Sequence, residues 1–235
     1  MLRKYRTAIV IPAYNPPTKL IDLVDALLTA GQANIVIVND GSVSSNKSIF
    51  DALQKKHSVT VLNHLSNQGK GQALKTGFSF CLHNFADISG IITVDADGQH
   101  HVNDVLTVSS MLSEDNNSLL LGSRMFDTKI PLRSKFGNTL TRKIFSLVAG
   151  THITDTQTGL RGIPIALLPY LLTLQGNRYE YEMNMLLVLN KKCIPFKEVP
   201  ISTIYVDNNG CSHFNPIKDS FKIYALIFRF FFRTL

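Results

Sequence analysis

The chain has 235 residues, 45% hydrophobic and 17% charged, without repeats or low-complexity runs; this excludes solenoids and disordered tails and fits one large domain or one domain with an appendage. Cys81, Cys193 and Cys211 are odd in number and far apart, so neither a disulfide framework nor a zinc site is indicated, and a reducing, cytoplasmic compartment is the simplest reading. The net charge of +7 matters less than its placement: from Thr128 to Thr154 the chain carries Lys129, Arg133, Lys135, Arg142 and Lys143 and no acid, which points to an anionic partner.

The first apolar run, Ala8 to Ile11, is too short for the core of a signal peptide and reads as a buried strand, Thr7–Pro12. A helix over Thr18–Ala30 follows, with its apolar stripe at Leu20, Leu23, Val24, Leu27 and Leu28. Ile35–Asn39 is written almost wholly in Ile and Val, as a strand covered on both faces should be. The alternation continues with a helix near Lys47–Lys56, a strand at Val59–Asn63 and a helix over Gln72–His83. Next come a strand at Gly90–Val94, a helix over Val102–Leu112 and a short strand at Leu119–Gly122. Beyond this the regularity fades, with helices expected over Phe136–Val148 and Tyr179–Asn190 and a strand over Lys197–Ile204. The tail from Phe221 to Arg233 is strongly apolar yet holds Lys222, Arg229 and Arg233. It stops short of the roughly 20 apolar residues that span a bilayer; it suits an interfacial helix with snorkelling basic groups, or a helix packed on the core. The main domain is therefore drawn at residues 1–216 and the apolar, basic tail at 217–235.

The βα alternation predicts a mostly parallel α/β sheet, which places ligands beyond the carboxyl ends of its strands. Tyr14 and Asn15, Asp40 and Gly41, Asp95 and Asp97, and Arg124 all fall there. Asp95 and Asp97 follow the apolar Ile91-Ile-Thr-Val94; in an extended chain both carboxylates point to one side, with Ala96 turned away. Two hard oxygen ligands suit Mg²⁺ or Mn²⁺, which take one or two carboxylates and complete their shells with water and substrate phosphates. Gly98 permits a tight turn, and Gln99 offers a neutral oxygen or an outer contact. Asp40 can accept hydrogen bonds from a ribose or a base edge, or can simply start the turn at Gly41. Asn67-Gln-Gly-Lys70-Gly71 opens a helix where the backbone can approach a ligand and Lys70 can neutralise phosphate. It lacks Walker spacing, no G-x-G-x-x-G follows the first strand, and no G-x-S-x-G nucleophile elbow occurs.

Taken in order, Ile11-Pro-Ala-Tyr-Asn15, Val38-Asn-Asp-Gly-Ser42, Asn67-Gln-Gly-Lys-Gly71, Asp95-Ala-Asp-Gly-Gln-His100, Gly122-Ser-Arg124, Asp155-Thr-Gln-Thr-Gly-Leu-Arg161 and Ser212-His-Phe214 resemble the family-2 glycosyltransferases. The resemblance runs from about Thr7 to Tyr224 and is closest to the branch of dolichyl-phosphate mannose synthase and bacterial polyprenyl-phosphate sugar transferases. It implies the GT-A fold, a Rossmann-like, mostly parallel nucleotide-binding sheet flanked by helices, here with a C-terminal amphipathic helix. By the resemblance, Pro12, Tyr14, Asn15 and Asp40 line the nucleoside pocket, Lys70 and Asp95 also bind the nucleotide sugar, and Asp95, Asp97 and Gln99 hold the metal on the donor diphosphate. Arg124 and Arg133 match basic residues that grip the acceptor phosphate. This chain departs from the mannose synthases at Tyr205-Val-Asp-Asn-Asn-Gly210, where they have an arginine-rich stretch; Ser212 and His213 are the substitutes at hand.

The expected chemistry is a single displacement with inversion, in which a metal and nearby cations stabilise the departing nucleoside diphosphate. A polyprenyl phosphate acceptor is already anionic, whereas a hydroxyl acceptor needs a carboxylate base, for which Glu180, Glu182 and Asp155 are candidates beside Asp97 and Arg124 as catalytic groups. Glu180 and Glu182 also suit a helix start, where acids are favoured by the dipole. The basic block and the tail favour the lipid phosphate, a peripheral position on the inner face of the cell membrane, and an integral membrane partner. Nucleic acid is not expected as a partner. The rivals are transfer to a hydroxyl in cell-surface polysaccharide synthesis, a metal-dependent nucleotidyltransferase, and a non-catalytic basic binding module.

Overall fold

The computed structural model describes residues 6–124, 132–202 and 218–232, with side chains except at 132–140, 218–221 and 231–232. The strand β1 (Thr7–Ala13) leads to helix α1 (Lys19–Thr29), then β2 (Ile35–Asn39), α2 (Lys47–Gln54), β3 (Val59–Asn63), α3 (Lys70–Asn84), β4 (Gly90–Thr93), α4 (Val102–Glu114) and β5 (Leu119–Arg124). The second half holds α5 (Leu132–Ala149), β6 (Arg161–Pro164), α6 (Leu168–Leu171), α7 (Glu180–Lys191), β7 (Phe196–Ile201) and α8 (Lys218–Phe232). Every strand and helix expected from the sequence is present, and β7 begins one residue earlier than expected; the last two positions expected of it, 203 and 204, lie outside the described residues.

The seven strands form one sheet in the order β3-β2-β1-β4-β6-β5-β7. Every pairing is parallel except those of β6, which runs antiparallel to β4 and to β5. Side chains alternate across each strand and so divide the core into two layers. Ala8, Val10, Val36 and Val38 pack with Leu74 and Phe78 of α3, Phe145 of α5, Leu186 of α7 and Ile223 and Ile227 of α8. Ile9, Ile11, Ile35 and Ile37 pack with Leu20, Leu23 and Leu27 of α1, Phe50 of α2 and Val105 and Val108 of α4. Both faces of β1 and β2 are thus covered, which is why these strands are nearly continuous in apolar residues.

β6 is the element that the sequence concealed. Arg161-Gly-Ile-Pro164 is short and contains glycine and proline, both poor strand formers. It survives because it is clamped between two strands, with Thr93 opposite Arg161 and Gly90 opposite Pro164. Its antiparallel direction has a consequence for the site: the turn that feeds it, residues 155–160, arrives at the carboxyl end of β4, beside Asp95. At the other end of the chain, α8 packs against α5 and α7 along one face, while its opposite face is solvent-exposed. No described helix is long and apolar enough to cross a membrane.

Candidate active site

A cavity of about 550 Å³ opens at the carboxyl ends of β1, β2 and β4. One wall is Pro12 to Pro17, the floor includes Asp40, and the opposite wall is Asn67, Gly69, Lys70 and Ala73 with Arg178 and Tyr179. Asp95, Ala96 and Asp97 close its inner end. The first wall is stitched to the loop after β2. The amide of Asn15 donates to Ser42 Oγ (2.9 Å), Asn15 Oδ1 accepts from the amide of Val43 (2.9 Å), and Asn46 Nδ2 donates to the carbonyl of Pro16 (2.9 Å). Asn15 holds φ at 46°, a conformation that asparagine tolerates better than most residues.

Asp40 is only 2% exposed. Its Oδ1 accepts from the amide of Gln68 (2.9 Å), its Oδ2 from the amide of Gly69 (2.8 Å), and His64 Nδ1 lies 2.7 Å from Oδ1. The carboxylate that the sequence offers to a ribose is thus already holding the loop that precedes α3, although it still borders the cavity. That loop needs glycine: Gly69 sits at φ 103°, and a Cβ there would lie 2.4 Å from the carbonyl oxygen of Asn177. The contact locks the start of α3 against the segment before α7.

At the inner end lies a partly buried chain of charges. Lys70 Nζ stands 2.7 Å from Asp95 Oδ1 and 2.9 Å from Glu182 Oε2, and His100 Nε2 is 3.7 Å from Asp95 Oδ2, an electrostatic neighbour beyond hydrogen-bond reach. Burial alone would lower the lysine's pKa, but Asp95 and Glu182 more than offset it and hold the ammonium above its usual range. Burial would likewise raise the carboxyl of Asp95, yet Lys70 and His100 hold it well below the usual carboxylate range. Asp97 moves the other way, raised by burial and then by the negative charge of Asp95. Its Oδ1 accepts from the amide of Gln99 at 3.0 Å.

Asp95 also forms the wall of a second, smaller space of about 30 Å³, shared with Gln99, His100, Arg124, Gln157, Thr158 and Gly159. Gly159 faces Asp95 so closely that a Cβ would fall 2.1 Å from Oδ2. Both ends of this turn are anchored. Asp155, fully buried, accepts from Arg124 Nε at 2.5 Å and Nη2 at 3.0 Å. Arg161, 1% exposed, donates from Nε to the carbonyl of Thr158 (3.0 Å) and from Nη1 to the carbonyl of Glu182 (2.9 Å).

Of the residues expected from the sequence, Pro12, Tyr14, Asn15, Asp40, Lys70, Asp95 and Asp97 border the large cavity, while Gln99 and Arg124 border the smaller space. Asp155 is held by Arg124, and Glu182 by Lys70. Glu180 Oε1 accepts from the amides of Asn177 (3.2 Å) and Arg178 (3.3 Å), closing the turn before α7. The side chain of Arg133, and Ser212 and His213 entirely, lie outside the described residues. The sequence reading overlooked Arg178 and Tyr179 as cavity residues. The signal in the sequence is a glycine, Gly176, with an arginine and an aromatic following just before a helix.

The donor set suits a divalent cation. Asp95 and Asp97 both face the cavity end, and a cation between them would offset the burial and the repulsion from Asp95 that together raise Asp97. Among the described residues no group of three or more His, Cys, Asp or Glu side chains is arranged to hold a metal. An ion here would therefore depend on water or on substrate oxygens for the rest of its shell, as Mg²⁺ and Mn²⁺ commonly do.

Comparison with known proteins agrees with this geometry. The chain is 34% identical over 230 residues to an uncharacterized protein of Methanocaldococcus jannaschii, covering 94% of this chain and 92% of that protein. It is 32% identical over 234 residues to the UDP-N-acetylglucosamine–dolichyl-phosphate N-acetylglucosaminyltransferase of Methanococcus voltae, covering 92% of each. Among solved structures, glucosyl-3-phosphoglycerate synthase of Mycobacterium tuberculosis, crystallised with Mn²⁺, uridine diphosphate and phosphoglyceric acid, superposes with a TM-score of 0.71 at 13% identity, over 97% of this chain and 78% of that one. That likeness establishes the GT-A fold. The model of glycosyl transferase family 2 matches residues 8–164, from the first strand through β6, and the chain belongs to that family.

Proposed function

We propose that this glycosyltransferase moves a sugar, with inversion, from a UDP- or GDP-linked donor to a polyprenyl phosphate at the inner face of the cell membrane, with an integral membrane partner nearby. The observation that carries the reading is the commitment of the candidate bases. Asp155 is paired with Arg124, Glu182 with Lys70, and Glu180 accepts through Oε1 from the amides of its own turn. A hydroxyl acceptor needs a base to take its proton, whereas a phosphate arrives ionised. The name of the M. voltae relative, a transferase to dolichyl phosphate, supports the same class of acceptor.

In this reading Pro12, Tyr14 and Asn15 take the nucleoside, Asp40 shapes the floor beneath it, and Lys70 with the start of α3 faces the diphosphate. Asp97, with Asp95 and Gln99, would hold Mg²⁺ or Mn²⁺, which supplies Lewis-acid stabilisation of the departing diphosphate. Arg124, oriented by Asp155, and Arg133 with Ser212 and His213 take the acceptor phosphate. An acceptor phosphate oxygen attacks the anomeric carbon, the bond to the nucleoside diphosphate breaks, and its electron pair leaves with the diphosphate. No proton has to be moved.

The test is incubation with Mn²⁺ or Mg²⁺, polyprenyl phosphate and a panel of UDP- and GDP-linked sugars. Lipid-linked sugar should form with the wild type and fall at least about 100-fold with Asp97→Ala or after chelation. Transfer that ignores both changes would overturn the metal site, and transfer only to hydroxyl acceptors would overturn the acceptor. Release of pyrophosphate instead of nucleoside diphosphate would identify a nucleotidyltransferase.

A further inference from the structure

The segment before α7 is fastened to the start of α3 by backbone and side chain alike. The carbonyl of Asn177 accepts from the amide of Gln72 (3.0 Å), and Asn177 Oδ1 accepts from Lys75 Nζ (3.2 Å). The carbonyl of Arg178 accepts from the amide of Tyr181 (3.2 Å), while Glu180 Oε1 holds the amides of Asn177 and Arg178. Two glycines make the close approach possible. A Cβ on Gly69 would lie 2.6 Å from Cγ of Arg178, and one on Gly71 would lie 2.8 Å from its carbonyl oxygen. Arg178 thus starts from a braced corner with the root of its side chain laid on Gly69, and it lines the large cavity as an exposed residue.

The charges already present decide what such an arginine is for. Among the described residues that line the cavity, the cations are Lys70 and Arg178. Lys70 is shared between Asp95 and Glu182, and Asp97 adds a third carboxylate beside them. A divalent cation at Asp95 and Asp97 no more than balances that cluster, so the negative charge of a nucleoside diphosphate is left without a partner there. The start of α3 supplies little, because a helix N-terminus serves an anion through unpaired amides. Those of Gln68 and Gly69 are held by Asp40, and that of Gln72 by Asn177. Arg178 has no carboxylate partner among the described residues, and a guanidinium is a planar fork that can meet two phosphate oxygens at once.

We propose that Arg178 binds the donor's diphosphate directly, while Lys70 neutralises the carboxylates at the inner end of the cavity. The assignment rests on the sugar-nucleotide reading above and adds to it the residue that meets the donor's charge. It accounts for the bracing of residues 177–180, since a clamp on a charged group works best when its backbone is fixed before the ligand arrives. It also gives Glu180 a task other than proton transfer: its carboxylate holds the corner from which Arg178 reaches the donor.

NMR titration with uridine, UDP, guanosine and GDP, each in the presence of Mg²⁺, tests it. The wild type should bind the diphosphate of its preferred base more tightly than the matching nucleoside. Arg178→Met, which keeps the aliphatic stem on Gly69, should weaken diphosphate binding about ten-fold or more and leave nucleoside binding unchanged. Arg178→Lys should recover part of the loss, since the charge returns without the paired fork. In the transfer reaction the same loss should raise the KM for the donor and leave that for the acceptor unmoved. Diphosphate binding equal to wild type in Arg178→Met overturns the assignment. So does an equal loss for nucleoside and diphosphate, which would make Arg178 a wall of the nucleoside pocket. No binding of either nucleotide by the wild type would sink the donor reading and this assignment with it. A lost preference for the diphosphate, in a protein whose wild type transfers nothing to polyprenyl phosphate, would uphold Arg178 and overturn only the acceptor reading.

Discussion

Lys70 is the residue on which the site's charge balance turns. It faces Asp95 and Glu182 together, and its ammonium helps to hold the Asp95 carboxyl well below the usual carboxylate range against the cost of burial. Lys70→Met should cost about 3 kcal/mol of stability, because removing one partner of a buried pair strands the other charge. A divalent cation should restore part of that loss, so Mn²⁺ should raise the melting temperature of the variant more than that of the wild type. Equal shifts would mean that Lys70 and the ion do not share a counter-charge. Gly159 works by leaving room. Its Cβ would overlap Asp95 Oδ2, so Gly159→Ala should displace that carboxylate, cost about 1–3 kcal/mol and lower transfer at least about ten-fold. Unchanged turnover in that variant would show that the exact position of Asp95 is unimportant.

At the scale of elements, β6 is what brings the 155–160 turn to Asp95, and its direction matters more than its length. The sheet edge beyond it is tied by charge. Lys197 of β7 stands 2.5 Å from Asp115, the residue that caps the end of α4. The lysine's hydrogen bond, then the amide of Asn117 and the hydroxyl of Ser118, depress the Asp115 carboxyl to about 2. A depressed carboxyl stabilises the fold above its ordinary pKa of roughly 4, and that contribution is lost as the pH falls through this value toward the folded one. Carboxyl NMR should therefore give an Asp115 midpoint near 2 in the wild type and nearer the ordinary value in Lys197→Met. The same midpoint in both proteins would rule out the pair as the cause.

For the molecule as a whole, Cys81 is a probe of cooperativity. It lies fully buried in the layer between α3 and the sheet, and burial pushes its thiol up to about 12. The thiolate is the reactive form, so iodoacetamide at neutral pH should leave Cys81 unmodified until the domain opens, whereas exposed Cys193 reacts at once. Peptide mapping across a denaturant series should show Cys81 alkylation rising together with global unfolding. Alkylation far below that midpoint would show that α3 detaches on its own, and with it Lys70 and one wall of the large cavity.

The sequence by itself determined the layered α/β architecture, since alternating Ile and Val runs and amphipathic helices are local patterns that chain geometry must obey. It also determined the row of polar residues at the strand ends, because a parallel sheet brings those ends together whatever the loops do. What only the tertiary structure decided is how those residues are employed. Asp40 holds the loop at Gln68 and Gly69, Glu182 joins Asp95 through Lys70, and Asp155 closes on Arg124. These partners lie 25 (Lys70 to Asp95) to 112 (Lys70 to Glu182) positions apart in the chain, where spacing carries no information. β6 escaped notice for a related reason, since a strand of four residues is held by its two neighbours and hardly at all by its own composition. Propensity is a local quantity, whereas the pairing of charges and the insertion of an antiparallel strand are consequences of which surfaces the packed core brings face to face.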